Sequence, residues 1–233
     1  MGALKKIYGL PVMNLQNFSG LMRARKVASF RKLTKTISFE EYLKNELTQD
    51  EKKELRFAPK TEVVKFRDPN GNTFTGFRSA HKSGVLIFAL LPGNLLPICA
   101  EFRHGSEKVV LNLPAGLIEP TDANPKVAAK REFREEIGIT LKKLIPLNSG
   151  GVPIDARVST RKNFFFLGMP ALPLKVKKQR LEKSEFAARF LIHIDHWLAL
   201  MKLGIVDDCS MAATLLALKK LKSETLHFIR KIR

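Results

Sequence analysis

The chain has 233 residues, which is more than one domain usually needs and too few for two large ones. Its 45% apolar and 27% charged residues supply a packed core and exclude global disorder. Lys and Arg outnumber Asp and Glu by 41 to 22, and the resulting charge of +19 indicates an anionic partner or surface. Two cysteines exclude a disulfide framework and favour a reducing compartment.

The first 39 residues form a basic segment without any Asp or Glu. Such a composition is typical of an organelle transit peptide, which would place the protein in a mitochondrion or another organelle rather than in the cytoplasm. It also fits a basic arm that stays on the protein and touches nucleic acid, or a solvated extension without function. We expect a basic extension with one helix over residues 1–58, followed by the main domain over residues 59–233.

A helix and a hairpin are predicted between the basic segment and the centre of the chain. Ser38 is a suitable N-cap, and Glu41 completes a capping box, so a helix should start there and run towards Leu47. The strand-like segments 62–66 and 73–77 flank a turn sequence and predict a β-hairpin.

The rest of the chain alternates between strand and helix patterns. Residues 85–91 and 95–102 flank Pro92, Gly93 and Asn94 and predict a second hairpin of buried strands rather than a membrane span. Asn124 as N-cap and Gly138 beyond the far end predict a helix of about four turns. Further elements are predicted at 109–113, 163–167 and 187–194 (strands) and at 209–221 (helix). Together they predict an α/β domain with a mixed sheet.

The helix that follows Asn124 carries three acidic residues on neighbouring positions. Glu135 and Glu136 follow Glu132 by three and four residues, so their carboxylates project from neighbouring positions on one side of the helix. Like charges placed this way repel, and Arg131 can relieve part of that cost. Converging carboxylates are typical of a site for a hard divalent cation such as Mg²⁺, although a solvated charged face is the alternative.

The surroundings of this helix point to a known motif. Residues 131–139 read Arg-Glu-apolar-any-Glu-Glu-any-Gly-apolar, and Gly116 precedes them, with the acids Glu119 and Asp122 in the loop between. This arrangement resembles the Nudix box, in which a glycine and a loop acid come before that nine-residue pattern. It departs from the common box in two ways, because the loop acid is Asp122 rather than Glu and the loop is one residue longer.

The resemblance covers about residues 40–222. Segments 101–103 and 113–119 resemble the strand end and the loop before the box in ADP-ribose and ADP-sugar diphosphatases. Segments 184–186 and 206–209 resemble their C-terminal half, and the long box loop looks most like the plant-type ADP-sugar (ADP-glucose) enzymes. The resemblance implies a Nudix fold, with a mixed sheet sandwiched between helices (α/β/α) and a basic, helical N-terminal extension.

The resemblance also implies a metal site. In such proteins the box helix binds Mg²⁺ or Mn²⁺, which bridges the two phosphates of a nucleoside diphosphate linked to a second group. Glu132 and Glu136 are expected to be metal ligands, together with the backbone carbonyl of Ala115. Glu135 is expected to support the metal or its waters, and Arg131 to orient the carboxylates.

Other residues are expected to act from outside the box helix. Glu185, with Glu182 as a second choice, is expected to be a further ligand or base, while the alternative is that both are surface acids. Arg103 is expected to hold a phosphate or else to form a structural ion pair. Gly116 and Glu119, in the loop before the box helix, complete the predicted substrate-binding set.

Two functional hypotheses follow. The first is a Mg²⁺-dependent hydrolase that splits an ADP-ribose or ADP-glucose type of substrate into a nucleoside monophosphate and a sugar phosphate. The second is an RNA-associated Nudix protein, either a 5′-phosphate pyrophosphohydrolase or an RNA-binding subunit of an organellar ribonucleoprotein. It is motivated by the net charge and by basic residues that follow the box: Arg157, Arg161, Lys162, Lys175, Lys177, Lys178 and Arg180. A homodimer is implied by resemblance, and no membrane partner is expected.

Overall fold

The computed structural model of the chain describes residues 5–24, 38–45, 47–55, 60–180 and 187–232. The helices are α1 (Phe18–Ala24), α2 (Phe39–Lys44), α3 (Gln49–Glu54), α4 (Pro125–Glu136), α5 (Ile194–Lys202) and α6 (Asp208–Ile232). The strands are β1 (Lys6–Ile7), β2 (Leu10–Met13), β3 (Lys60–Arg67), β4 (Thr73–Ala80), β5 (Gly84–Ala89), β6 (Leu95–Arg103), β7 (Lys108–Asn112), β8 (Ala115–Leu117), β9 (Leu141–Pro146), β10 (Val152–Pro153), β11 (Lys162–Pro170) and β12 (Ala187–His193). Within these ranges, no helix is long and apolar enough to cross a membrane.

The chain folds as two compact units. Unit 1 comprises Met1–Ser29, Ser83–Val152 and Lys162–Arg233, and unit 2 comprises Phe30–Lys82 and Pro153–Arg161. Two five-stranded sheets and the helices α4, α5 and α6 belong to unit 1. Helices α2 and α3 and the strand pair β3 and β4 belong to unit 2.

The helices of unit 2 begin at capping residues. Ser38 accepts a hydrogen bond from the amide of Glu41 at 3.1 Å, as the capping-box spacing predicts. The helix ends before Leu47, because Thr48 and Glu51 form a second capping pair that starts α3. The amide of Thr48 donates to Glu51 Oε2 at 2.8 Å.

The first predicted hairpin is confirmed. Strands β3 and β4 pair antiparallel over their full length, and the turn between them is closed by the amide of Asn72, which donates to Asp68 Oδ1 at 2.8 Å. Asp and Asn side chains stabilise such turns by bonding to the nearby backbone.

The second predicted hairpin is wrong in its pairing, although both of its strands are present. β5 lies in one sheet (order β10-β11-β5-β8, with β9 on β11), whereas β6 lies in another (order β1-β2-β12-β6-β7). An isolated bridge between Leu91 and Leu95 is the point where the two strands meet. All of β5 is buried, and a strand buried on both faces has no polar alternation that would reveal its partners.

The α/β fold with helices on both faces is confirmed. Helix α4 packs on β5, β8 and β9, and helix α6 packs on β5 and β11. Successive residues of β5 therefore enter two cores: Phe88 packs in the cluster that contains Ala213, and Ile87 packs in the cluster that contains Phe133. The strands are divided between two mixed sheets, since β2 on β12 and β5 on β11 are parallel pairs among antiparallel ones.

The other predicted strands correspond to β7, β11 and β12, and the last helix starts one residue earlier than predicted and continues to Ile232. The sequence prediction missed β8, β9, β10 and α5, and in the N-terminal segment β1, β2 and α1. β8 has three residues and β9 carries polar residues between its buried positions, so neither shows a strong period.

Part of the basic N-terminal segment is structural. Strand β2 pairs in parallel with β12, and Leu10 and Met13 on it are 1% and 0% exposed. Leu21 on α1 is 2% exposed and packs in the same cluster as Met13. Residues of this segment therefore complete the core of unit 1.

Candidate functional site

Helix α4 is held in place at both ends, as its sequence predicts. Asn124 Oδ1 accepts hydrogen bonds from the amides of Lys126 and Val127 at 3.0 and 3.1 Å. At the far end, Gly138 has a φ of 81°, and a Cβ there would overlap the carbonyl of Lys177. Both requirements, a left-handed conformation and a close backbone approach, favour glycine.

The innermost carboxylate of the helix is that of Glu136, which is 8% exposed. Its Oε2 accepts a hydrogen bond from the amide of Ala115 at 2.9 Å and lies 3.8 Å from Cys99 Sγ. Burial raises the pKa of the Cys99 thiol, so the sulfur stays protonated and acts as a weak donor to the carboxylate. The Glu136 carboxylate is therefore fixed in one orientation.

Gly116 lies directly against Glu132. A Cβ at Gly116 would overlap the carboxylate of Glu132. The Glu132 side chain is 15% exposed. The predicted box glycine is thus needed because the backbone of β8 and the carboxylate share this space.

Arg131 connects the carboxylates of the helix with the loop before it. Its Nη1 donates to Glu132 Oε1 at 2.8 Å and to Glu135 Oε2 at 3.2 Å. Its Nη2 donates to Asp122 Oδ2 at 2.7 Å and to the carbonyl of Leu117 at 3.0 Å. Arg131 therefore contacts two carboxylates of the helix and the loop at once, and its orienting role stays a prediction.

Asp122 was identified in the sequence as the loop acid of the box, but it was given no role in the predicted site. Its side chain is 4% exposed, and the hydrogen bond from Arg131 lowers its pKa. Its Oδ2 also accepts from the amide of Glu119 at 2.9 Å, so the loop folds around this carboxylate. The contact between Asp122 and Arg131 could have been predicted from an acid in the loop before an arginine on the helix, regardless of the exact length of the loop.

A family model for the NUDIX domain matches residues 80–206, more than half of the 233-residue chain. The chain belongs to the Nudix family. This match contains β5 to β8, helix α4 and the loop that holds Asp122.

Three curated proteins are similar to this Nudix chain over shorter segments. An ADP-ribose pyrophosphatase of Mycobacterium tuberculosis (strain ATCC 25618 / H37Rv) is 33% identical over 73 residues, 31% of this chain and 35% of that protein. An ADP-ribose pyrophosphatase of Bacillus subtilis (strain 168) is 30% identical over 81 residues, 35% of this chain and 43% of that protein. A methanol dehydrogenase activator of Bacillus methanolicus is 33% identical over 70 residues, 30% of this chain and 37% of that protein. The alignments thus span less than half of each relative's length.

A crystal structure of an ADP compounds hydrolase has the same fold. It superimposes with a TM-score of 0.61 and 20% sequence identity, covering 72% of this chain and 88% of the other. At this identity the likeness establishes the Nudix fold alone.

Nudix hydrolases generally use divalent metal ions, and the residues at the box helix fit such an ion. Glu132 offers oxygen atoms beside Gly116, where a Cβ atom would not fit, and Glu136 offers them beside Ala115. Glu135 is joined to Glu132 through Arg131. Hard cations such as Mg²⁺ prefer carboxylate and carbonyl oxygens. Arg131 Nη1 is shared between the carboxylates of Glu132 and Glu135.

Arg103 lies in an ion pair at the end of β6. Its Nη1 is 3.0 Å from Glu101 Oε2, and its side chain is 51% exposed, which agrees with the structural alternative. Glu101 Oε1 also accepts from Asn112 Nδ2 at 3.1 Å. Phosphate binding by Arg103 stays a prediction, as does substrate binding by Gly116 and Glu119.

The predicted additional acid cannot be placed. Glu185 and Glu182 lie outside the described residues, so their roles stay predictions.

A second acidic group is explained by a helix cap. Ligand atoms of Asp207, Asp208 and Cys209 lie within 4.8 Å of one another at the start of α6. Asp207 accepts from the amide and the hydroxyl of Ser210 at 2.8 and 2.7 Å, as an N-cap does. We therefore assign this group to the fold of unit 1.

Proposed function

We propose that this Nudix protein is a Mg²⁺-dependent or Mn²⁺-dependent hydrolase of nucleoside diphosphate sugars of the ADP-ribose or ADP-glucose type. The products are a nucleoside monophosphate and a sugar phosphate. The observation that carries the proposal is the placement of the Glu132 and Glu136 carboxylates against the backbone of Gly116 and Ala115, with Glu135 joined to Glu132 through Arg131. The names of two similar curated proteins, both ADP-ribose pyrophosphatases, support the substrate class.

In this mechanism, Glu132, Glu136 and the Ala115 carbonyl would hold the cation. The bound cation would supply positive charge against the diphosphate and would lower the pKa of the attacking water. The fixed orientation of Glu136 and the counter-charge of Arg131 mean that these groups need little rearrangement, so the protein acts by positioning and electrostatics.

The proton of the attacking water needs an acceptor. Glu135, with 32% of its side chain exposed, is the most accessible of the three box carboxylates that carry the proposal and can take this proton. As the new bond from water oxygen to phosphorus forms, the bond from that phosphorus to the bridging oxygen breaks, and the bridging oxygen leaves with the second phosphate. Glu185 is the alternative proton acceptor.

Replacement of Glu136 by Gln tests the proposal. We expect Glu136→Gln to lower the rate of AMP release from ADP-ribose with Mg²⁺ by about 100-fold or more, because a metal ligand loses its charge. Glu40→Gln, which changes an exposed acid on α2, is the matched control and should keep the parent rate. Thermal melts of both variants verify folding, and equal rates for Glu136→Gln and the parent would exclude the metal assignment.

A panel of substrates tests the finer assignment. ADP-ribose, ADP-glucose and an RNA with a 5′ triphosphate should be compared with Mg²⁺ and with Mn²⁺, with the products identified by mass. We expect AMP and a sugar phosphate from at least one ADP-sugar. Release of diphosphate from the RNA alone would favour the 5′-phosphate pyrophosphohydrolase instead.

Assembly and location stay proposals. The homodimer is proposed from resemblance, and the mitochondrial or other organellar location from the composition of the first 39 residues. Sedimentation of the full chain and imaging of a C-terminal fusion are the corresponding measurements.

A further inference from the structure

The outer face of α4 carries a row of cations. Lys126, Lys130 and Arg134 are spaced four residues apart and all three are exposed. Residues four apart are neighbours on a helix surface, so this row places like charges side by side at a cost in helix stability. The row spans about 12 Å at 1.5 Å per residue.

A second set of cations lies at the C-terminal end of the same helix, on the segment 174–180. Leu174 and Val176 pack against the core cluster beneath α4, and Lys175 between them is exposed. The exposed basic residues of the segment are Lys175, Lys177, Lys178 and Arg180.

The segment is fixed to the helix through its backbone. The amide of Lys177 donates to the carbonyl of Gly138 at 2.8 Å, and the amide of Arg180 donates to the carbonyl of Glu135 at 2.8 Å. Arg189 Nη1 donates to the carbonyl of Lys177 at 2.9 Å. The four cations of the segment are therefore held beside the row on α4. We call the two sets together the basic surface.

The cations of the basic surface are not paired with any acid of the described residues. Within the described residues, none of its side chains forms an ion pair, whereas Arg131 on the same helix contacts three carboxylates. Cations near a helix C-terminus are favourable to the helix dipole, but that effect is confined to the last turn and leaves Lys126 and Lys130 unexplained.

We propose that the basic surface binds the phosphate backbone of single-stranded RNA. A row of exposed point charges that continues along a fixed segment fits a linear polyanion better than a compact anion. RNA is the nucleic acid that is mostly single-stranded in cells, and a chain with a charge of +19 attracts it at long range. The proposal goes beyond the hydrolase activity and does not depend on it.

The test compares variants that remove the same number of charges. The row variant combines Lys126→Gln, Lys130→Gln and Arg134→Gln, and the control variant combines Lys202→Gln, Lys219→Gln and Lys222→Gln on α5 and α6. All six positions are exposed. A further variant replaces the four cations of segment 174–180 by Gln. Binding of a labelled single-stranded RNA to the full chain is measured by fluorescence anisotropy over a range of salt concentrations.

We expect the parent to bind RNA with a steep salt dependence. The row variant should bind at least about tenfold more weakly at low salt, and the slope of log K against log salt should fall by about 2, since each lost phosphate contact removes about 0.7. The segment variant should behave similarly, and the control variant should resemble the parent. Unchanged melting temperatures show that each variant is folded.

Two outcomes would overturn the proposal. They are equal RNA affinity in the row and control variants, and binding to phosphatidylserine vesicles without binding to RNA. ADP-ribose hydrolysis is measured in parallel, so a parent that binds RNA without hydrolysing ADP-ribose would contradict the proposed function and leave this proposal standing.

Discussion

Gly116 and Asp122 show how much of the candidate site depends on single residues. The carboxylates of α4 converge because a glycine leaves room for Glu132 and because Arg131 holds Glu132 and Glu135 from the side of the loop. The Nudix site is thus a small set of contacts between one helix and the β8 loop.

Adding one methyl group at Gly116 tests this arrangement. Gly116→Ala should displace the Glu132 carboxylate and weaken Mn²⁺ binding by about 10-fold or more, because the ligand geometry is lost. Gly105→Ala is the control, since a Cβ at Gly105 meets no atom within 4 Å. Mn²⁺ titrations followed by electron paramagnetic resonance give both affinities, and equal values would contradict the close approach at Gly116.

The lowered pKa of Asp122 predicts how the stability of the folded chain depends on pH. The hydrogen bond from Arg131 lowers this pKa in the folded chain, so the ionised carboxylate stabilises the fold above the unfolded pKa of about 3.9. That contribution is lost as the pH falls through the lower folded value.

Asp122→Asn should therefore destabilise the protein at neutral pH by about 1–3 kcal/mol, the usual range for a charged hydrogen bond. The difference from the parent should shrink below about pH 4. Urea denaturation at several pH values measures the difference in the free energy of unfolding between variant and parent. A difference that does not change with pH would show that the ion pair with Arg131 is not its cause.

The residues of the box could be predicted from the sequence, because their spacing on a helix fixes which side chains meet. The pairing of Asp122 with Arg131 was not predicted, since it depends on the path of a loop of unusual length. The contact between Cys99 and Glu136 was not predicted either, because it joins a strand and a helix far apart in the chain.

At the scale of elements, local signals predicted the helices α2, α4 and α6 and most of the strands, but not the partners of the strands. The capping pairs at Ser38 and Asn124 and the turn at Asp68 are local, and all three were confirmed. The division of β5 and β6 between two sheets depends on contacts with β11 and β12, which follow much later in the chain.

Strand β2 gives a stability prediction at this scale. Leu10→Ala and Met13→Ala should each destabilise unit 1 by about 2–5 kcal/mol, because both side chains are fully buried beside β12. Leu15→Ala, at a side chain that is 45% exposed, should change stability by less than about 0.5 kcal/mol. Chemical denaturation measures all three variants. If Leu10→Ala and Met13→Ala were as stable as Leu15→Ala, strand β2 would not contribute to the core.

For the whole molecule, each face of α4 is relevant to one of the two functions that the sequence suggested, hydrolysis of an ADP-sugar and binding of RNA. One face holds the carboxylates, and the other carries part of the basic surface. Hydrolysis of an ADP-sugar and binding of RNA are therefore compatible properties of one helix, and they can be measured separately.

The most direct test of the account is a Mn²⁺ titration of the parent and of the double variant Glu132→Gln, Glu136→Gln, followed by electron paramagnetic resonance. The account predicts saturable binding by the parent and a loss of that binding in the folded double variant. Equal binding by the two proteins would contradict the central claim that the carboxylates of α4 hold the cation.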